Sequence, residues 1–578
     1  MPAVLVLAES GCAGQLLSGQ KAKSAQRRAQ LCAGVKLRGR SIPRKGNHAM
    51  RIELFDSTLR DGAQGEGISF SVEDKLKIAK SLDEFGVTYI EAGNPFSNPK
   101  DLEFFRRAAK ERFVTSRLCA FGSTKRKGTR ADEDEGLAAL LSAGTKYVSV
   151  FGKAWDMHVD CILGVSLEEN LRMISETIAF LSSKGRSVIF DAEHFFDGFR
   201  ANPEYALEVL RTVQTAGAMS VCLCDTNGGT FPDEISKTVK AVKKAVSIQV
   251  GIHCHNDNGC ASAGTVAAVR AGAAQVQGTF IGIGERCGNA NLSTAAANLQ
   301  LKLGYEIVKP QKMELLTKTA HFISEVANVR LQHSMPYVGD SAFAHKGGMH
   351  ADGVAKNPKT FEHIPPELVG NRRSFLLSEV SGRSAVLPRL KAFDETLDKN
   401  SAETVHILEK LKELECSGFQ FEAAQASFEL LVLKELGRFT PHFEIDHYKI
   451  ISSMDSFGKH HSYTGKANAV VKVRVGERTE ITADEGDGPV NAIDRALRKA
   501  LEVFYPELKK MHLIDYKVRV ISSGESTASV TRVLIESTDG ESTWTTVGAS
   551  KDIINASLLA LIDSIEYLLK GVPSKINV

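Results

Sequence analysis

The feature that most constrains the fold is a regular alternation of short apolar runs with longer amphipathic stretches from residue 51 onward. Eight runs have strand-like composition and recur about every 30 residues, the length of one strand–helix unit. The stretches between them have helical periodicity, as in residues 71–85, where Ser71 and Asp74 have the spacing of a capping box. The predicted strands are residues 52–55, 87–91, 117–121, 147–151, 187–191, 220–224, 250–254 and 276–281.

This alternation predicts an α/β fold with a parallel sheet, because each helix returns the chain to the same end of the sheet. Eight units over about 250 residues predict a closed (β/α)8 TIM barrel, which we place at residues 50–310. A doubly wound open sheet is the alternative. It is weaker because polar residues follow nearly every predicted strand, whereas an open sheet would gather them at one switch point.

The rest of the chain divides into three regions. Residues 1–49 hold nine Lys/Arg and one acidic residue. We predict a disordered extension there, with a transit peptide or a start upstream of the true one at Met50 as alternatives. Residues 311–415 have a mainly helical pattern and are interpreted as linker and lid. Residues 416–578 contain a weak internal repeat, a few strands followed by one helix, which predicts an α+β domain.

Composition and charge narrow the class of protein. The net charge of +3 gives no general attraction for nucleic acid. No apolar run reaches 18 residues, so we expect no membrane-spanning helix. Cys222, Cys224 and Cys254 lie in strand-like runs, where they are interpreted as small buried hydrophobic residues in a reducing, cytoplasmic compartment.

Two histidines lie at the end of the seventh predicted strand, in residues 251–257 (GIHCHND). Side chains alternate across a strand, so His253 and His255 point to the same side. In a TIM barrel the catalytic groups lie at the C-terminal ends of the strands. Two imidazoles placed there can bind one metal ion, although an isolated His-x-His pair is more often structural.

Barrel closure adds two expected neighbours to this pair. It places strand 1 beside strand 8 and strand 8 beside strand 7, so Asp61 and Asn289 come from adjoining loops. Two histidines, an aspartate and an asparagine leave open positions on an octahedral ion, which a 2-oxo acid can fill through its keto oxygen and carboxylate. These ligands suit zinc, manganese or magnesium, and the sequence does not choose among them. Gly282, Gly284 and Gly288 are interpreted as tight turns of the metal loop.

Several motifs resemble one enzyme family. Residues 55–64 (FDSTLRDGAQ) resemble the opening signature of the 2-isopropylmalate, homocitrate and citramalate synthases. Residues 251–257 and 282–289 (GIGERCGN) resemble their second signature and metal loop. Residues 150–158 and 190–198 are most similar to the citramalate branch. The resemblance implies a metal-dependent condensation of acetyl-CoA with pyruvate, then thioester hydrolysis to (R)-citramalate and CoA, on the route to isoleucine.

The resemblance also implies roles for single residues beside the metal ligands. Arg60 would stabilise the enolate or oxyanion, as a cation that keeps its proton. Thr226 would hydrogen-bond the substrate carboxylate, and Glu193 would position substrate or relay a proton. The structural alternatives are an ion pair of Arg60 with Asp191 or Glu193, a helix cap for Thr226 and a salt bridge at the barrel rim for Glu193.

Residues 344–353 (AHKGGMHADG) resemble the family's lid segment, in which a histidine acts in the partner subunit's active site. His350 is the matching position, and a plain loop histidine is the alternative. The family often has a tyrosine shortly afterwards, but residues 370–375 (GNRRSF) contain none, so the base that activates acetyl-CoA stays open. The C-terminal repeat resembles the family's regulatory domain. It implies a homodimer with isoleucine as effector, or a dimerisation module without a ligand.

Four other functions remain as alternatives. A 2-isopropylmalate synthase would run the same chemistry on 2-oxoisovalerate, and a homocitrate synthase fits the strand-end motifs less well. A hydroxymethylglutaryl-CoA lyase would share the barrel and ligands but would not need the repeated C-terminal domain. A noncatalytic amino-acid sensor would keep the fold without the chemistry, but retention of all five residues Arg60, Asp61, His253, His255 and Asn289 argues against it.

Overall fold

The structure, a computed structural model, describes residues 50–346, 348–375, 383–391, 393–453, 466–521, 529–540 and 542–571. The predicted N-terminal extension lies outside these residues. Across the described residues, no helix combines the length and the apolar content that crossing a membrane requires.

Eight parallel strands form a closed barrel in chain order, as predicted. Strand β8 pairs with β1, with Phe55 opposite Gln277, so the open-sheet alternative is wrong. Each predicted run overlaps an observed strand, with ends shifted by a few residues. The strands are β1 Glu53–Asp56, β2 Tyr89–Glu91, β3 Arg117–Ser123, β4 Tyr147–Lys153, β5 Ser187–Glu193, β6 Ser220–Asp225, β7 Gln249–Cys254 and β8 Gln275–Gly278.

Helices cover the outside of the barrel. Ser71 and Asp74 form the predicted capping box at the first of them, and Gly86 ends that helix in a left-handed conformation. The helices are α1 Val72–Phe85, α2 Pro99–Ala108, α3 Glu135–Ser142, α4 Leu167–Ser183, α5 Phe195–Ala201, α6 Pro203–Thr215, α7 Pro232–Ala245, α8 Ala261–Ala271 and α9 Leu292–Ala297. Short helical turns lie at Gly62–Gln64, Asp156–His158, Val159–Leu163 and Asn298–Lys302.

The strands bury two different faces. Leu54, Ile90 and other outward side chains join the helices in one large apolar cluster. The inward side chains form a small apolar layer of Phe55, Tyr89, Cys119 and Ile189. Toward the C-terminal ends of the strands, the inward positions become polar. The barrel therefore presents buried polar groups at the face where TIM barrels place their sites.

The segment after the barrel is mainly helical, as predicted, but it also contains a two-stranded parallel sheet that the sequence did not predict. Its helices are α10 Leu316–Val326, α11 Gly348–Lys356, α12 Arg383–Leu390 and α13 Ala402–Cys416, and its strands are β9 Ala344–His345 and β10 Ser374–Phe375. Shorter 3-10 turns lie at Pro310–Leu315, Pro358–Thr360 and Pro366–Val369.

The C-terminal region consists of two copies of one unit, a three-stranded antiparallel sheet followed by a helix, which confirms the predicted repeat. A separate helix, α14, begins at Gln425 and precedes the first copy. The elements are α14 Gln425–Glu435, β11 Glu444–Ser453, β12 Lys466–Val475, β13 Arg478–Gly486, α15 Pro489–Leu501, 3-10 turn Pro506–Lys510, β14 His512–Val520, β15 Thr531–Thr538, β16 Thr543–Ser550 and α16 Ile553–Leu569. The domain boundaries at residues 310 and 415 stay predictions.

Candidate active site

The loop after β1 and the end of β7 bring three candidate metal ligands together. Nε2 of His253 lies 3.4 Å from Oδ2 of Asp61, and Nε2 of His255 lies 4.0 Å from the same oxygen. One ligand atom from each residue lies within 4.8 Å of the other two, and all three residues are buried. This is the cluster expected from barrel closure, at the C-terminal ends of the strands.

Asn289 joins this cluster through the loop after β8, where it forms an isolated β-bridge with His255. Its Nδ2 donates to the Ile283 carbonyl oxygen at 3.3 Å. Oδ1 of Asn289, Oδ1 of Asp61 and Nδ1 of His255 are buried without a hydrogen-bond partner in the described part of the chain. Orphaned buried oxygens are costly, and a cation would satisfy them, so these residues fit a metal ion.

Three glycines shape the loop that places Asn289. Gly282, Gly284 and Gly288 have φ values of 80°, 157° and 82°, in the region that favours glycine. A Cβ on Gly284 would lie 2.2 Å from Nδ2 of Asn289, and a Cβ on Gly288 would lie 2.0 Å from the Gly282 carbonyl oxygen. These contacts agree with the interpretation of the glycines as tight turns.

The electrostatics favour the ligand forms of Asp61 and His255, whereas the Asp61 carboxylate outweighs burial and raises the pKa of His253. Burial alone would raise the pKa of Asp61, but the Arg60 charge and the neighbouring His253 outweigh it and hold that pKa far below its usual range. Burial and the neighbouring His253 lower the pKa of His255 to about 4. At neutral pH Asp61 is therefore ionised and His255 is neutral, which are the forms that bind metal ions.

Arg60 lies beside the cluster, and its guanidinium is held on three sides. Nε donates to Oε2 of Glu91 at 2.7 Å, and Nη1 lies 3.0 Å from Oδ2 of Asp61. The guanidinium carbon lies 4.0 Å from the centre of the Phe121 ring. The same Glu91 oxygen accepts from Oγ of Ser57 at 2.6 Å. The predicted alternative, an ion pair of Arg60 with Asp191 or Glu193, is wrong. Arg60 contacts the carboxylates of Asp61 and of Glu91 on the adjacent strand β2.

A cavity of about 230 Å³ opens onto these groups at the C-terminal face of the barrel. One wall is apolar, because the rings of Phe121 and Phe151 stack with centroids 5.3 Å apart and planes 17° from parallel. The cavity is lined by Arg60, Asp61, Gln64, Phe121, Phe151, Asp191, Glu193, Cys224, Thr226, His253, His255 and Glu285.

Thr226 and Glu193, both predicted site residues, line this cavity. Oγ1 of Thr226 accepts from the His194 backbone N–H at 2.9 Å, so its own hydroxyl hydrogen is available for a ligand. The Glu193 carboxylate forms an ion pair with Lys153 at the end of β4. The rim salt bridge considered for Glu193 therefore exists, and the same side chain also faces the cavity.

His350 lies apart from these residues. It is exposed on α11, and its ring stacks on Phe361 with centroids 4.1 Å apart. It does not line the cavity described above. A single chain does not bring His350 to the other predicted site residues.

Sequence reasoning assigned no role to three residues that the site contains. Asp191 was considered only as a structural ion-pair partner for Arg60, and Glu91 and Gln277 received no role. All three are buried, and they hydrogen-bond Arg60, Ser149 and His253 respectively. Burial and the Glu91 charge raise the pKa of Asp191 to about 6. A signal was present, since each lies on the inward alternation of its strand.

Comparison with protein families divides the chain in the same order as the structure. Residues 51–323 match the HMGL-like family. Residues 337–418 match the homocitrate synthase post-HMGL domain-like family, and residues 422–569 match the LeuA allosteric (dimerisation) domain.

Curated relatives match over nearly the whole chain. The (R)-citramalate synthase of Aquifex aeolicus is 50% identical over 522 residues, which cover 90% of this chain and 98% of that protein. That of Synechocystis sp. is 49% identical over 525 residues, with 89% and 96% covered. A probable 2-isopropylmalate synthase of Methanopyrus kandleri is 33% identical over 524 residues, with 90% and 99% covered.

Proposed function

The chain belongs to the (R)-citramalate synthase family, and from that premise we propose how its barrel condenses acetyl-CoA with pyruvate to give (R)-citramalate and CoA. The observation that carries the proposal is the buried cluster of Asp61, His253 and His255 beside Arg60, at the mouth of a small cavity. A cation site next to a fixed guanidinium suits a keto acid, whose carboxylate and keto oxygen both need positive partners.

Asp61, His253, His255 and Asn289 would hold one divalent cation, magnesium, manganese or zinc. When bound, that cation would supply the Lewis acid that polarises the keto group of pyruvate. The orphaned oxygens of Asp61 and Asn289 support this ligand set. The aspartate also brings the negative charge that a divalent ion needs in a buried site.

Arg60 would stabilise the negative charge that develops on oxygen during the condensation. Its contacts with Glu91 and Asp61 fix the guanidinium before substrate arrives, so little reorganisation is needed when charge develops. It would act as a cation throughout, because a guanidinium does not release its proton at physiological pH.

Thr226 would donate its hydroxyl hydrogen to the substrate carboxylate, since its oxygen already accepts from the His194 backbone. Glu193 would position the substrates, with its orientation held by Lys153. If Glu193 also relays a proton, its carboxylate must accept that proton while it remains in contact with Lys153. Both roles are supported by the position of the two side chains on the cavity wall.

The apolar wall supports pyruvate over a bulkier acceptor. Phe121 and Phe151 stack against one another, and the Arg60 guanidinium lies over the Phe121 ring, so several contacts hold this wall in place. A methyl group fits the face of such a pair, whereas the isopropyl group of 2-oxoisovalerate needs extra volume. This favours the citramalate reaction over the 2-isopropylmalate reaction.

The parts outside the barrel would act between subunits. The match to the LeuA allosteric (dimerisation) domain supports a homodimer with an effector site, and isoleucine is the end product that such a site would bind. His350 is exposed in one chain, which is compatible with a role in the active site of a second copy. A cytoplasmic location stays a prediction.

The test is release of CoA from acetyl-CoA with pyruvate or 2-oxoisovalerate as acceptor, measured with a thiol reagent. Each acceptor is assayed with magnesium, manganese or zinc, after chelation, and with or without isoleucine. We expect a higher kcat/KM for pyruvate, activity that returns when a metal ion is restored, and inhibition by isoleucine. A preference for 2-oxoisovalerate would overturn the substrate assignment, and full activity after chelation would overturn the metal site.

A further inference from the structure

A buried hydrogen-bonded series runs across the barrel interior behind the candidate metal site. Nδ1 of His253 lies 3.1 Å from Oε1 of Gln277, and Nε2 of Gln277 donates to Oδ1 of Asp191 at 3.0 Å. We propose that Asp191 and Gln277 are positioning residues that set the tautomer and the ring orientation of His253, so that Nε2 faces the metal ion. This rests on the metal site of the proposed function.

The amide of Gln277 is the element that makes the series directional. A primary amide has one acceptor oxygen and one donor NH2 group. Only one orientation satisfies both neighbours, with Nε2 toward the Asp191 carboxylate and Oε1 toward His253. The reverse orientation would place the amide oxygen against the carboxylate oxygen, and it would leave two acceptors facing each other in a buried site.

Asp191 is itself fixed, so it can hold the amide in this orientation. Its Oδ2 accepts from Oγ of Ser149, and its Oδ1 accepts from Gln277. Asp191 is 4% exposed and Gln277 is fully buried, so water does not compete for these bonds. Three strands, β4, β5 and β8, therefore meet at one carboxylate.

The consequence for His253 follows from the chemistry of imidazole. Because Oε1 of Gln277 is an acceptor, Nδ1 of His253 must carry the hydrogen, and in neutral imidazole this leaves the lone pair on Nε2. Nε2 is the atom that faces Asp61, 3.4 Å from its Oδ2. Partners of this kind behind a histidine ligand typically contribute a factor of roughly 10–100 in metal affinity.

Asp191 has a second set of neighbours that could point to a different role. Asp191, Cys222 and Cys224 also place candidate ligand atoms within 4.8 Å of one another. Both oxygens of Asp191 already accept hydrogen bonds, however, and burial raises the pKa of Cys222 well above its usual thiol value. A protonated thiol is a poor metal ligand, so we assign Asp191 to the support of His253.

The test measures Mn²⁺ binding to the metal-stripped full-length protein, with the free ion counted by electron paramagnetic resonance. We expect one Mn²⁺ per chain, and a Kd that rises roughly 10–100-fold in Gln277→Leu and in the nearly isosteric Asp191→Asn. Gln249→Leu is the matched control. It removes a partly buried glutamine from the strand that carries His253, but that amide bonds Glu53 instead, so its Kd should stay near wild type.

The outcomes separate this inference from the function on which it rests. An unchanged Kd in both Gln277→Leu and Asp191→Asn would overturn the inference, as would an equal loss in Gln249→Leu. The inference would also be overturned if wild type bound two Mn²⁺ per chain and Cys222→Ser lost one of them, because Asp191 would then belong to a second metal site. If His253→Ala binds Mn²⁺ like wild type, the metal site itself fails. Asp191→Asn keeps the volume of the side chain, so it guards against a folding failure of Gln277→Leu.

Discussion

The barrel interior and the C-terminal domain are both built from strands packed against helices, but they bury different chemistry. Toward its catalytic face, the barrel buries charged or ionisable side chains at Asp61, Glu91, Asp191 and His253, each no more than 5% exposed. The C-terminal core consists mainly of apolar residues of its strands and of the helices α15 and α16, and its buried ionisable pair, His442 with Glu566, is joined by a hydrogen bond of 2.6 Å. Burying a charge costs free energy unless partners compensate. The catalytic face of the barrel should therefore contribute less to the free energy of unfolding than apolar residues at the same positions would.

The sheets of the two regions also differ in how far apart in sequence the residues that they bring together lie. In the C-terminal domain each sheet is a meander of consecutive strands, and its helix follows directly. At the catalytic face, Gln277 reaches Asp191 across 86 residues, and Phe280 reaches Thr58 across 222. Substitutions at the barrel face should therefore affect turnover strongly and folding weakly, whereas those in the C-terminal domain should leave the condensation reaction intact.

The sharpest test of this contrast is His253→Ala. Loss of one imidazole removes a candidate metal ligand, and we expect turnover to fall below detection while the melting temperature changes by only a few degrees. The measurements are CoA release with pyruvate and thermal unfolding of the same preparation. His333→Ala, at an exposed histidine bonded to Asp340, is the control and should retain full activity. An active His253→Ala enzyme would contradict the site.

Arg60→Lys should have the next largest effect. A lysine keeps the charge but cannot contact Glu91 and Asp61 together with a planar group, as the guanidinium does. We expect kcat to fall roughly 100–1,000-fold, the range seen when one preorganised donor to developing charge is lost. Steady-state kinetics with pyruvate check it, with the exposed Arg211→Lys as the matched control. A kcat within threefold of wild type would show that the fixed guanidinium is not needed.

Phe151→Ala should change selectivity more than overall rate. Removing one ring of the stacked pair opens the apolar wall, so 2-oxoisovalerate should gain relative to pyruvate. We expect the ratio of their kcat/KM values to shift roughly 10–100-fold, since one methylene group in such a pocket is worth about 1–3 kcal/mol. Phe180→Ala, a partly buried ring on the outer helix α4, is the control. An unchanged ratio would show that Phe151 does not control the choice between the two acceptors.

The smallest effect on turnover is expected for Gly486→Ala in the C-terminal domain. A Cβ on Gly486 would lie 2.5 Å from the backbone nitrogen of Ala492, so the turn that enters α15 must shift. We expect kcat to stay within about twofold of wild type while inhibition by isoleucine is weakened, because a glycine-rich turn at a helix N-terminus suits the carboxylate of an amino-acid effector. Gly488→Ala is the matched control, because nothing lies within 4 Å of its added Cβ. If both variants lose turnover equally, the separation of the two regions is wrong.

Much of the barrel could be predicted because its pattern is local. The alternation of strand and helix predicted all eight strands, and Ser71 with Asp74 marked a helix start that the structure confirms. The grouping of Asp61 with His253 and His255 also followed, since the order of strands in a closed barrel is known in advance. The repeat of the C-terminal domain could be recognised for the same reason.

Other features could not be predicted, because they depend on which inward side chains meet. Alternation says that Glu91, Asp191 and Gln277 face the barrel interior, but not which neighbour each one bonds. The position of His350 is a different case, since the prediction involves a second chain. The paired strands Ala344–His345 and Ser374–Phe375 were missed because two residues are too few to show a period.

By itself, the sequence determined the closed barrel, the repeated C-terminal unit and the candidate metal ligands. Strands and helices repeat about every 2 and 3.6 residues, and the pattern of apolar and polar side chains follows these repeats. Only the tertiary structure decided that Glu91 holds Arg60, that Asp191 orients Gln277, and that Gln277 supports His253. Those contacts join side chains of different strand units, 24 to 86 residues apart, and they depend on distances and donor directions that no local period contains.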